Sequence, residues 1–296
     1  VVKRGCVLGT ILLVASIGCA ASPLTILYTN DLHLRFERLA SIEELILRER
    51  AGSIPVLLFD GGDAWQDFRR PQAAVWGANE LVEWMNHVGY DAMALGNHDM
   101  YWGEKRLGEL AQQAEFPVLC ANLVSSRHDP VPFVPSARLG TDEIPVLAIG
   151  LITEEFLPYS AYPALRLTSM VAAVRDEICR AAGDRDVIAV VAHLPIADAV
   201  RISAEVPRID IFITGHSHEE TQTPVCVGKT LIVQSGAFGK KLGRLMIDVN
   251  SQTGAVQLIN HELIPTAKTP AKIGRGLHQL LRVMLGIAFA TLLVVR

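Results

Sequence analysis

The sequence predicts an α/β fold in which largely parallel strands are joined by crossover helices. Two observations predict it. Short apolar runs alternate with segments of helical periodicity along most of the chain. Most of those runs are also continuously apolar and bounded by turn residues, the pattern of strands buried on both faces. A third observation says where such a fold would carry its chemistry. Of nine histidines, five fall in short motifs that close predicted strands.

Residues 24–29 (LTILYT) read as the first strand, and Asp31-Leu32-His33 begins just beyond it. Leu39, Ile42, Leu45 and Ile46 then recur at helical spacing. Residues 55–60 (PVLLFD) form the second strand and open into Gly61-Gly62-Asp63. Val75, Ala78, Val82, Met85 and Val88 mark the next helix, and residues 91–95 lead into Gly96-Asn97-His98-Asp99. Strands are predicted over 117–121 and 145–152, then a helix through Val171, Val174 and Ile178. Residues 186–192 (DVIAVVA) end at His193, and 209–214 end at Gly215-His216-Ser217-His218. Strands at 229–233 and 244–249 complete the series. In parallel sheets ligands gather at the carboxyl ends of strands, and all five motifs lie there. Gly61, Gly62, Gly96 and Gly215 let the backbone turn sharply and come close to a metal or phosphate.

A pair of divalent cations needs imidazole nitrogens, carboxylate and amide oxygens, and one carboxylate able to bridge. The five motifs supply all of these. D-x-H or G-H-x-H alone often arises by chance, whereas five motifs in a consistent order at strand ends do not. The remaining His87, His128, His261 and His278 fit no motif and read as surface or loop residues. The four tryptophans read as packing residues, with Trp65 and Trp102 the better candidates for stacking on a ligand because they flank the metal loops.

The 296 residues, half of them hydrophobic and a fifth charged, suit a globular enzyme of one large or two small domains. A net charge of −4 gives no electrostatic reason for a polymeric nucleic-acid partner. Lys3 and Arg4, the apolar stretch 6–17 and the small residues 18–21 read as an export signal over residues 1–21. This places the protein in the periplasm or cell envelope. Cys19 is a candidate for the lipid of a lipoprotein. Cys120, Cys179 and Cys226 read as buried, inert thiols. Residues 267–296 turn basic and then apolar, too briefly for a membrane span, as in an amphipathic helix or interfacial anchor. The Cys19 lipid and this tail are the two candidates for membrane attachment.

Y-T-N-D-L-H (28–33), G-G-D-A-W-Q (61–66), G-Y-D-A-M-A-L-G-N-H-D (89–99), F-P-V-L-C-A-N (116–122) and G-H-S-H (215–218) follow in order. Through them the chain resembles the calcineurin-like metallophosphoesterases, and within these the catalytic domain of the bacterial 5′-nucleotidase family. The resemblance implies a four-layer αββα sandwich of two mixed β-sheets flanked by helices, over residues 22–266. It implies a hydrolase of phosphate mono- or diesters that uses water activated by two divalent metals (Mn, Zn, Fe or Co). The expected substrate is small and phosphorylated, such as a nucleotide.

By the same resemblance Asp31, His33 and His218 would hold one metal, Asn97, His193 and His216 the other, and Asp63 would bridge. His98 would stabilise the transition state or protonate the leaving oxygen, with Asp99 supporting the loop or the imidazole. Asn97, His98 and Tyr101 are the expected substrate contacts. Tyr101 stands where many relatives carry an acid that pairs with the catalytic histidine. Leu34, Asp67-Phe68 and Pro195 are further departures, so the ligands are intact while the pocket around them differs. Typical relatives add a second domain whose aromatic pair stacks on the nucleobase. About 30 residues follow the catalytic domain here, and that mode of recognition is not expected within this chain. A thiosulfohydrolase-like activity at the same metal site and a non-catalytic metal-binding envelope protein are the alternatives.

Overall fold

The computed structural model describes residues 21–69, 71–126 and 131–269. The expected export segment up to Ala20, with Cys19, lies outside the described residues, as do His128, His278 and the tail from Pro270. No helix among the described residues is long and apolar enough to cross a membrane.

Two six-stranded mixed sheets form the centre. In the first, β1 (Ala21–Thr29), β2 (Val56–Asp60), β3 (Ala92–Ala94) and β4 (Val118–Leu119) run parallel. A separate two-stranded ribbon pairs β5 (Leu123–Ser125) antiparallel with β8 (Leu165–Leu167), and its Leu123 and Leu165 join the core that holds Leu27 and Leu58 of the first sheet. The second sheet has parallel strands β7 (Pro145–Ile152), β9 (Val187–His193), β10 (Ile211–Ile213) and β12 (Thr230–Val233). Antiparallel strands β6 (Ser136–Gly140) and β11 (Val225–Val227) form its edges. In the first sheet β13 (Lys241–Asn250) pairs antiparallel with β1, and β14 (Val256–Pro265) with β13.

Side-chain alternation along these strands builds three cores. Leu24, Ile26 and Tyr28 of β1, Leu57 and Phe59 of β2, Val187, Ala189 and Val191 of β9, and Ile211 and Ile213 of β10 meet between the sheets. Leu27 and Leu58 point the other way, onto the buried faces of α1 (Phe36–Arg50), α2 (Pro71–Val88) and α3 (Gly103–Gln113). Ile188, Val190 and Phe212 pack outward on α4 (Met170–Ala181) and α5 (Ile196–Glu205). The result is helices, sheet, sheet, helices. It explains the uninterrupted apolar runs, because both faces of each central strand are covered. Each fully buried aliphatic or phenyl side chain contributes about 1.5–3 kcal/mol relative to exposure.

Two sequence expectations fail. Cys120 is buried, which pushes its thiol up to about 12, but Cys179 and Cys226 are exposed. Cys179 lies on the solvent side of α4, and Cys226 on the edge strand β11, where Val225 is exposed too. His261 is no loop residue: it sits half-buried in β14, 2.7 Å from the Tyr28 hydroxyl.

Candidate metal centre

Asp31 and His33 follow β1, Asp63 follows β2, and Asn97 and His98 follow β3. His193 ends β9, and His216 and His218 follow β10. The seven expected ligands therefore come from both sheets and converge at the carboxyl ends of parallel strands. Five of them have left-handed backbones: Asp31 (φ 51°), His33 (47°), Asp63 (58°), His216 (72°) and His218 (58°). Asp and His tolerate this region better than bulkier residues, yet so many together require support from their surroundings. Asp31 N donates to Gly62 O (2.9 Å), His33 N to Asp63 O (3.0 Å) and His216 N to Asp31 Oδ2 (3.0 Å). Two glycines make room. Gly62 has φ +90°, and a Cβ there would lie 2.8 Å from His193 Nδ1. A Cβ on Gly96 would lie 2.1 Å from Asp63 Oδ1.

One group forms around Asp31 Oδ1, which is 3.1 Å from His218 Nε2 and 3.8 Å from His33 Nε2. A second forms around Asn97 Oδ1, 3.1 Å from His193 Nε2 and 3.2 Å from His216 Nδ1. Asp63 Oδ2 faces both, 3.9 Å from His33 Nε2 and 3.1 Å from His193 Nε2. Its other oxygen is occupied, accepting from His98 N at 2.8 Å. Asp31 is divided likewise. Its Oδ2 accepts from Asn30 Nδ2 (2.7 Å) and His216 N, while Oδ1 is buried with no hydrogen-bond partner.

The tautomers follow from the outer contacts. His33 Nδ1 donates to Gln66 O (2.9 Å) and His193 Nδ1 to Gly61 O (2.8 Å), because a carbonyl only accepts. His216 Nε2 donates to Glu155 Oε2 at 2.9 Å. The opposite ring nitrogen of each histidine is left with a lone pair aimed at carboxylate or amide oxygens. Converging lone pairs without protons between them repel, and a cation resolves the conflict. The donor set therefore fits divalent metal, with outer-sphere bonds of the kind that orient metal-bound histidines. Ligand atoms of Asp31, His33 and His218 lie within 4.8 Å of one another, as do those of Asp31, Asp63 and His193. Protons compete with a cation for this place. Burial works against a charged His193, but the Asp63 carboxylate outweighs it and the imidazole rises to about 10. Burial would raise Asp63, and His193 holds it well below the usual carboxylate range instead.

His98 stands at the rim. Its Nε2 is 4.0 Å from Asp63 Oδ2, its Nδ1 is 3.3 Å from Gln66 Oε1, and its ring stacks on Phe68 at 5.1 Å. Burial, only partly offset by Asp63, holds this imidazole below its ordinary value. Asp99 does not reach His98. Its buried carboxylate accepts from the main-chain N–H groups of Asp63 (2.9 Å), Trp65 (2.8 Å) and Gly96 (3.1 Å), tying the loops after β2 and β3 together. Burial and the Asp63 charge raise it to about 7. Tyr101 packs near the His98 ring at 5.6 Å, but its hydroxyl donates to Phe156 O at 3.1 Å. Trp65 is fully buried, and Trp102 Nε1 donates to its carbonyl, as packing residues would. Asn30, Gln66 and Glu155 were not singled out by the sequence reading. Their roles depend on contacts made only after folding.

The defining pattern of the Calcineurin-like phosphoesterase family matches residues 24–220. The chain belongs to that family. The uncharacterized metallophosphoesterase YunD of Bacillus subtilis is 26% identical over 265 residues, covering 84% of this chain and 56% of YunD. A 5′-nucleotidase of Vibrio parahaemolyticus is 26% identical over 326 residues, 87% of this chain and 55% of the relative. The NAD nucleotidase of Haemophilus influenzae shares the fold, with a TM-score of 0.74 at 18% identity, over 83% of this chain and 51% of that one. The chain thus spans about half the length of the curated relatives it matches. Within the residues that match the family the chain carries a cluster of candidate metal ligands.

Proposed function

We propose that residues 22–266 form a hydrolase of phosphate mono- or diesters that works with two divalent metals, and that its substrate is small, a nucleotide being the first candidate. The observation that carries this reading is Asp63 Oδ2, a single carboxylate oxygen facing both ligand groups. Asp31, His33 and His218 would hold one ion with it, and Asn97, His193 and His216 the other. When bound, such a pair supplies Lewis acidity to the attacking water and the phosphoryl oxygens. The names of the nucleotidase relatives support the choice of nucleotide.

The chain's own residues account for the rest. Asn97 directs Oδ1 at the ligand group, which leaves Nδ2 to donate to a phosphoryl oxygen. Hydrolysis joins a water oxygen to phosphorus and breaks the ester P–O bond, so the departing oxygen needs a proton. With Nδ1 donating to Gln66, His98 presents Nε2 at the rim, and the imidazolium form, which carries a proton there as well, would supply it. Asp99 acts behind the site as a positioning residue, through the loops it joins.

The test is hydrolysis of p-nitrophenyl phosphate, its bis-ester and a nucleotide panel with Mn²⁺, with and without chelator. Metal-dependent turnover is expected on at least one. No turnover on any of them overturns the reading, and elemental analysis of the Mn²⁺-loaded protein tests the count of two.

A further inference from the structure

We infer that Phe68, Tyr101 and Phe156 form an aromatic collar on the catalytic domain that takes the planar part of the substrate's leaving group. The inference deepens the phosphoester reading and rests on it. All three side chains are exposed, at 57%, 46% and 74%. Single exposed rings are ordinary, but here three stand on the rim of the same site. Phe68 lies parallel to the His98 ring, within 5° and 5.1 Å between centroids. Tyr101 is 6.0 Å from Phe68 and 5.6 Å from His98. Phe156 is 6.3 Å from the His216 ring.

The rim is anchored to the machinery it surrounds. Phe68 N donates to Gln66 Oε1 (3.1 Å), the atom that meets His98. Tyr101 N donates to His98 O (3.0 Å), and its hydroxyl reaches across to Phe156 O. Glu155, beside Phe156, accepts from His216. Phe156 itself has φ +57°, an uncommon conformation for a bulky residue, and the outcome is a phenyl ring held out in solvent. Nothing in the core gains from that. A leaving group protonated by His98 departs beside Phe68 and Tyr101, so the collar meets whatever the departing oxygen carries. Large apolar faces there favour a planar ring over a sugar alone, by stacking.

AMP and ribose 5-phosphate share the same departing primary oxygen and differ in the base, so their ratio of kcat/KM isolates the ring. We expect the Mn²⁺-loaded full chain to favour AMP by roughly 5- to 150-fold, the range of one aromatic–base stack. Phe156→Ala should pull that ratio toward one, and Phe156→Leu, similar in size but not planar, should do the same. Adenosine and ribose, which carry no ester, give a readout independent of turnover: adenosine should bind more tightly, and less so in both variants. Hydrolysis of p-nitrophenyl phosphate with no preference for AMP and equal binding of adenosine and ribose overturns the collar and leaves the phosphoester reading standing. Adenosine binding that depends on Phe156, with no ester hydrolysed, keeps the collar and overturns the phosphoester reading. A preference unchanged in both variants overturns the assignment of Phe156.

Discussion

Gly96→Ala is the most demanding test of the metal centre, because it removes no ligand. The new Cβ would lie 2.1 Å from Asp63 Oδ1 and 2.3 Å from Asp63 N, where Cβ contacts do not fall below 3.0 Å. Rotating the carboxylate relieves only the first clash. The main-chain contact obliges the Asp63 loop itself to retreat, by about 0.7 Å, and Oδ1 by about 0.9 Å. Metal–ligand distances tolerate about 0.2 Å, so the bridge is lost well before the clash is relieved. Asp99 resists the retreat, since one of its oxygens holds both Asp63 N and Gly96 N. Overpacking of this kind costs about 1–3 kcal/mol. Outer-sphere changes already weaken metal binding by about 10–100-fold, and displacing the shared ligand should exceed that. Gly108→Ala is the matched control: in α3 its Cβ would meet nothing nearer than Pro132 at 3.9 Å, and it should stabilise by about 0.5–1 kcal/mol. Elemental analysis after gel filtration, urea midpoints and turnover should be measured on both. A Gly96→Ala protein with full metal content, normal affinity and normal turnover would refute the reasoning.

Three further outcomes are expected. Asp63→Ala removes the shared oxygen and should lower occupancy of both ions and abolish activity; two metals per chain in that variant would show that the bridge is misassigned. His98→Ala should keep its metals while losing roughly 10²–10⁴-fold in turnover, the range for a positioned acid–base group, and loss of metal would make His98 a ligand. Asp60 is fully buried between Thr29 Oγ1 (2.6 Å) and Gly62 N (2.8 Å), and burial holds its carboxyl well above the ordinary range. The folded state then binds the proton more tightly than the unfolded chain. Its stabilising effect is complete below about pH 4 and disappears as pH rises through the folded value. Asp60→Asn should flatten the pH dependence of the urea midpoint in chelator-treated protein, and an unchanged slope would count against a raised Asp60.

The central strands were legible because the sheets are covered on both sides, which writes each as a continuous apolar run. Residues 145–152 coincide with β7 for that reason. Elements that bury a single narrow stripe escaped. β14 carries Gln257, Asn260 and Glu262 on an edge, and α3 buries only Leu107 and Leu110. The ligand motifs were readable because each is local. The choice of ring nitrogen is not local: it depends on Gln66, Gly61 and Glu155, and the last two lie 132 and 61 residues from the histidines they orient. The exposure of Cys179 and Cys226 was hidden for a related reason, since apolar neighbours in sequence do not say which side of a helix or edge strand faces water.

The ligands of the proposed ions are divided between layers, with Asp31, His33, Asp63 and Asn97 on one sheet and His193, His216 and His218 on the other. Bound ions would therefore act as rivets across a seam whose interior is packed with apolar side chains from both sheets. Stripping them should loosen the strand ends first, seen as faster amide exchange in the loops after β1, β2 and β10, while the helices on the outer faces stay protected. A catalytically dead protein could still depend on its metals to keep its two halves in register.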